Sequence, residues 1–180
     1  MNLWRFLLRL SGWKCEITVA DRKKSIICVA PHTSNWDFII GLLAYRSLGR
    51  KASFLMKEFW FFFPLKYLLK KMGGIPVKRE STNSLTDTLA EDFNKSLHLN
   101  LAVTPEGTRK GVLKWKTGFL TIASKANVII QLGVIDYKNR RVIITEEYKP
   151  TGDKEYDLAE IRNYYAKFIY AAKYPSNFIP

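Results

Sequence analysis

Apolar residues fall along this chain in two patterns: short runs rich in β-branched residues, and longer stretches with apolar positions three and four apart. The first suits a strand buried on both faces, the second a helix with one apolar face. In residues 1–10, Leu3, Phe6, Leu7 and Leu10 share one helical face while Arg5 and Arg9 share another. Strands are predicted over residues 16–19, 25–30, 51–56, 99–103, 128–135 and 141–145. Residues 73–79 read as a turn and a short strand ending in two cations. Ser34 or Asn35 caps a helix running to about residue 48. Ser81 starts a mostly solvent-facing helix, with Leu85, Leu89 and Phe93 at four-residue intervals, and further helices fall at 117–126 and 157–171. Strands alternating with helices define an α/β fold: a single-layer mixed, mostly parallel sheet flanked by helices, with an N-terminal amphipathic helix. Residues 1–180 form one domain, in which 1–13 is a candidate membrane-interfacial helix and 25–135 the core that carries the motifs.

Composition narrows the classes. A chain of 180 residues, 47% hydrophobic and undivided by any Gly/Ser/Pro tract, has material for one substantial core. Its 29 Lys and Arg against 16 Asp and Glu give a formal charge of +13, which attracts polyanions: nucleic acid, anionic lipid headgroups or an acidic carrier protein. The aromatic residues separate these. Phe59-Trp60-Phe61-Phe62-Phe63 is the densest aromatic run, bordered by Lys66, Lys70 and Lys71 but not interleaved with cations as a base-stacking surface would be, and no RNA- or DNA-reading motif is present. Nucleic acid is therefore not the expected partner. That aromatic run is either core or a surface that meets lipid. Likewise, the N-terminal pattern with Trp4 and Trp13 suits either a helix lying among headgroups or one docked on its own core. No segment reaches the roughly 18 apolar residues that cross a bilayer. Cys15 and Cys28 lack metal-ligand spacing and read as reduced, buried thiols; with no secretory leader in the sequence, a cytoplasmic location is expected. His98 reads as a surface or helix-end histidine.

Candidate chemistry lies at two strand ends. Ala30-Pro31-His32-Thr33-Ser34-Asn35-Trp36-Asp37 stands where a buried strand passes into a helix. Five positions along a helix turn a side chain by roughly 140°, so His32 and Asp37 would not meet if both were helical. With His32 in the loop and Asp37 in the first helical turn, the carboxylate reaches one ring nitrogen and leaves the other to act as a base. The alternative is a histidine satisfying a loop carbonyl and an aspartate complementing the helix dipole. The second stretch, Thr104-Pro105-Glu106-Gly107-Thr108-Arg109-Lys110-Gly111, follows the strand at 99–103. There Gly107 lets backbone approach a ligand, and Thr108, Arg109 and nearby amides can hold a phosphate; the same residues also make a plain turn with a solvated arginine. No Gly-x-Ser-x-Gly turn is present to supply a hydrolase serine.

In order, His32 with Asp37, then Gly74-Ile75-Pro76-Val77-Lys78-Arg79, then Pro105-Glu106-Gly107-Thr108-Arg109 resemble the motif blocks of the glycerolipid acyltransferase family, of the lysophosphatidic acid acyltransferase type, over roughly residues 28–135. Thr104 stands where that family usually has Phe, and Ile129-Ile130-Gln131-Leu132 lacks the prolines of its fourth block. The resemblance implies transfer of a fatty acyl group from a thioester, on coenzyme A or acyl carrier protein, to a hydroxyl of a lysophospholipid such as 1-acylglycerol-3-phosphate. It implies no cofactor or metal and a peripheral or monotopic place on the cytoplasmic face of the cell membrane, against anionic lipid. His32 would be the general base oriented by Asp37. Thr108, Arg109 and Arg79 would bind the acceptor phosphate on a loop that Glu106 and Gly107 order, and Lys57 would stand near the phosphate or the developing oxyanion. Alternatives are acylation of another lipid alcohol, such as an aminoacyl lipid, and a non-catalytic lipid-binding module.

Overall fold

The computed structural model describes residues 2–77 and 82–180, the side chains of 82–84 excepted. Seven strands form one sheet: β1 (Lys14–Ile17), β2 (Lys24–Val29), β3 (Ser53–Lys57), β4 (Gly74–Val77), β5 (Leu99–Val103), β6 (Ile129–Asp136) and β7 (Arg141–Tyr148). Their order is β1-β7-β6-β2-β5-β3-β4; β6 and β7 pair antiparallel and the other neighbours pair parallel. The α/β class and the mixed, mostly parallel sheet expected from the sequence are thus present. Pro76, which has no N–H to give a ladder, is accommodated because β4 is an edge strand.

Helices cover both faces: α1 (Leu3–Leu10), α2 (Trp36–Ser47), α3 (Leu65–Met72), α4 (Thr82–Lys95), α5 (Gly118–Ala126) and α6 (Lys154–Ala166). On one face Leu89 and Phe93 of α4, Leu120 of α5 and Ile161 of α6 pack on Ile26, Leu101 and Ile130 of the central strands. On the other, Leu8 of α1 and Ile40 and Ala44 of α2 pack on Ile135 and Val142. Strand pleating explains this division, since alternate residues of a strand face opposite sides. Because β2, β3, β5 and β6 run in one direction, the loops after them share one end of the sheet, where sites in such folds form. His32, the aromatic run, Glu106 and Tyr137 all follow these strand ends.

The structure departs from the sequence expectation in several places. The first strand begins at Lys14, earlier than the predicted residue 16, because the turn through Gly12 at φ +75° brings Lys14 N–H onto the Arg140 carbonyl. An unpredicted helix, α3, follows the aromatic run and stops at Gly73, whose φ of +98° and closeness to the Ala52 carbonyl leave no room for a Cβ. The last helix starts sooner, because Asp153 caps the amides of Glu155 and Tyr156, and it ends at Ala166, with a 3-10 turn over Ile169–Ala171 beyond it.

Two apolar segments stay largely on the surface. Helix α1 docks on α2 through Leu8, a residue outside the predicted apolar face, while Leu3 and Leu10 stay 65% and 74% exposed. The aromatic run lies outside the core: Phe59 and Phe63 are 79% and 75% exposed, and Trp60, Phe62, Tyr67 and Leu68 are exposed beside them. Cys28 is buried, and burial pushes its thiol up to about 12; Cys15 is half-buried, and neither is in a disulfide. His98 is exposed.

Candidate active site

Three residues after β2, the His32 ring places Nδ1 3.0 Å from Asp37 Oδ2. The pair meets because α2 begins at Trp36, which puts Asp37 in its first turn and His32 in the preceding loop. Asp37 is 3% exposed, yet every side of its carboxylate is satisfied. Oδ2 also accepts from the backbone amides of Thr33 and Ser34, each at 2.9 Å, and Oδ1 accepts from the Tyr137 hydroxyl at 2.6 Å. A carboxylate held by four donors is fixed in position and has its hydrogen-bonding capacity met without open water. The His32 ring is only partly covered, and Nε2 is the nitrogen that Asp37 does not engage.

Tyr137 could not be foreseen from spacing to the histidine, being a hundred positions from Asp37. It arrives because it directly follows β6, which lies beside β2 in parallel. Burial, and then the neighbouring Asp37 carboxylate, hold its hydroxyl well above the ordinary phenol range, so it remains a donor. Replacement by phenylalanine is expected to leave the protein folded, to lower its melting temperature by a few degrees, and to reduce turnover about tenfold through a less firmly held Asp37. A hydrogen bond to a charged group is worth about 1.5–3 kcal/mol. Thermal melting and steady-state rates check this, and unchanged turnover would show that the phenol is dispensable.

Glu106, three residues after β5, turns inward, and its Oε1 accepts from the His32 backbone amide at 2.7 Å. This bond joins the two loops. Burial pushes the Glu106 carboxyl up to about 8; the His32 amide opposes the shift and the Asp37 charge adds to it. The folded state therefore binds a proton more readily than the unfolded chain between about pH 4.5 and 8. By linkage, the stability gained is full below the unfolded value and is lost as pH rises through 8. Urea midpoints of wild type are expected to fall across that interval relative to those of Glu106→Gln, whose side chain does not titrate. Parallel curves would contradict a raised carboxyl.

Gly107 adopts φ +66° against the Lys116 side chain, so an L-residue there would be strained. Thr108 Oγ1 accepts from the Lys110 amide at 3.3 Å, which shapes the following turn. Beyond it, Thr108, Arg109 and Lys110 form one wall of an open cleft of about 490 Å³ whose other walls include Thr33 to Trp36 and Lys173. Residues 33–36, which follow His32 in its loop, and the arginine loop thus face a common space, while His32, Asp37 and Glu106 themselves are not in its lining. Lys57 lies exposed at the end of β3, at the same end of the sheet but not in the lining of this cleft. Arg79 falls outside the described residues.

An α/β domain with these two strand-end loops defines the class. A family model described as Acyltransferase matches residues 14–135, and the chain belongs to that family. In fold it is similar to the crystal structure of the 1-acyl-sn-glycerophosphate (LPA) acyltransferase PlsC from Thermotoga maritima, with a TM-score of 0.60 at 19% sequence identity over 92% of this chain and 76% of that one. No curated protein matches it in sequence.

Proposed function

We propose that this acyltransferase moves a fatty acyl group from a thioester, on coenzyme A or acyl carrier protein, to a hydroxyl of a lysophospholipid such as 1-acylglycerol-3-phosphate. The observation that carries this reading is the His32–Asp37 pair beside a cleft lined by Arg109, Lys110 and Lys173, with no acidic side chain among the described residues lining it. An alcohol is a weak nucleophile at neutral pH. With Nδ1 held by Asp37, Nε2 of His32 takes the hydroxyl proton as the oxygen attacks the thioester carbonyl. The tetrahedral adduct then collapses and expels the thiolate, which receives that proton from the imidazolium. A cationic wall holding the anionic head of the acceptor keeps the attacking hydroxyl in reach. Direct transfer of this kind forms no acyl-enzyme.

The same reading places the protein on a membrane surface. No helix among the described residues is long and apolar enough to cross a bilayer. Exposed Phe59, Trp60, Phe62 and Phe63 follow β3 at the end of the sheet that carries the cleft, just after the exposed Lys57, and the chain carries a charge of +13. Aromatic rings that enter the headgroup layer beside cations suit anionic lipid and would bring a lipid acceptor to the site. The double change Phe59→Ser and Phe63→Ser is expected to weaken sedimentation with vesicles containing anionic lipid at least about tenfold without lowering the melting temperature. Undiminished binding would remove this segment from the interface.

Thiol release from acyl-CoA or acyl carrier protein, followed with a panel of lysolipids and an aminoacyl lipid, tests the proposed reaction. Phosphate-bearing lysolipids are expected to stimulate release and to yield a diacyl product. Vesicle binding without consumption of any thioester would instead identify a lipid-binding module.

A further inference from the structure

Beyond α6, the chain returns across the site. The Ala171 carbonyl accepts from the Tyr137 amide at 2.9 Å, and the Tyr174 amide donates to Thr33 Oγ1 at 3.2 Å. Between these anchors, Lys173 lines the cleft that Arg109 also lines. Its ammonium lies 5.9, 5.8 and 5.7 Å from the ring centroids of Trp36, Tyr137 and Tyr174. Aromatic faces attract a cation at such distances without neutralising it. Among the described residues no carboxylate forms an ion pair with Lys173.

Position adds to charge. The Tyr137 ring that attracts Lys173 carries the hydroxyl bound to Asp37, so the ammonium is referenced to the His32–Asp37 pair through one rigid side chain. Lys173 and Arg109 come from segments far apart in sequence and line the same space. A phosphate monoester, with close to two negative charges at neutral pH and three acceptor oxygens, suits two such cations better than a phosphodiester with one charge.

We infer that Lys173 of the C-terminal segment is a second phosphate ligand of the acceptor cleft, acting with Arg109 and setting a preference for phosphate monoester acceptors over phosphodiester ones. This inference rests on the proposed acceptor reading. Lys173→Met keeps an unbranched apolar stem and removes the charge. It is expected to raise the KM for 1-acylglycerol-3-phosphate, and the inhibition constant of inorganic phosphate, at least about tenfold, the loss of one charge-assisted hydrogen bond, with kcat changed less than about twofold. The preference in kcat/KM for that acceptor over a lysophosphatidylcholine is expected to shrink by a similar factor, and Lys173→Arg is expected to restore most of it.

Lys173→Met with the wild-type KM and phosphate inhibition overturns the inference. So does a variant whose kcat falls for both acceptors alike, which indicates packing only. A second measurement needs no variant: in wild type, the rate at which an amine-acylating reagent labels Lys173 is expected to drop several-fold with glycerol 3-phosphate present, and an unchanged rate is contrary. Wild type that acylates no phosphate-bearing acceptor defeats the underlying reading, whereas wild type active on phosphate monoesters with an indifferent Lys173 defeats this inference alone.

Discussion

Alanine at His32 is expected to slow acyl transfer by about a hundred- to ten-thousandfold, the usual contribution of a positioned general base, with substrate affinity nearly unchanged. The expectation rests on how little else the ring does. Its side chain is partly exposed, and its hydrogen bond is to Asp37, a carboxylate that keeps three other donors. The His32 backbone amide, which binds Glu106 and ties the two loops together, is unaffected by the substitution. A melting temperature within a few degrees of wild type should therefore accompany the loss of rate. Steady-state thiol release alongside thermal melting checks both parts, and a variant as fast as wild type refutes the assignment.

Asp37 is expected to give two different outcomes for two substitutions. Asp37→Ala leaves the buried amides of Thr33 and Ser34 without an acceptor, at a cost of about 1–3 kcal/mol each, and frees the Tyr137 hydroxyl as well. Against a typical total stability of about 5–15 kcal/mol, that variant should unfold many degrees earlier. Asp37→Asn can turn its carbonyl oxygen toward the two amides and Nδ1–H, while its amide group faces a Tyr137 hydroxyl that can rotate to accept. It should stay folded. What it lacks is the negative charge that stabilises the imidazolium formed as the acceptor loses its proton, so its rate should fall by about two to four orders of magnitude. Urea denaturation and kinetics on both variants separate the roles. An active Asn variant, or an Ala variant as stable as wild type, contradicts this account of the carboxylate.

The His32–Asp37 meeting was legible because it is local. A strand ending at proline and a helix starting a few residues later confine both side chains to one turn of chain, so their contact is one of two arrangements open to the sequence, and the family resemblance favours it. Glu106 and Arg109 were legible as a strand-end loop, although not that Glu106 turns inward to the His32 amide. Tyr137 and Lys173 were not, because only the pairing of β6 with β2 and the return of the chain beyond α6 bring them to the site. Those segments carry no periodicity that points to a partner. Helix α3 did leave a signal, Leu65, Leu68, Leu69 and Met72 at helical spacing, hidden beside the aromatic run. That run itself shows the limit of pattern. Five adjacent rings have the same composition in a core and on a lipid-facing surface, and only the folded structure shows most of them exposed.

The central claim is that one imidazole and one cationic cleft act on the same acceptor molecule. A crystal structure with 1-acylglycerol-3-phosphate bound tests it most directly. The expected complex has the free hydroxyl within about 2.6–3.2 Å of His32 Nε2 and the phosphate against Arg109 and Thr108. A phosphate seated elsewhere, or a hydroxyl turned away from the ring, would contradict it.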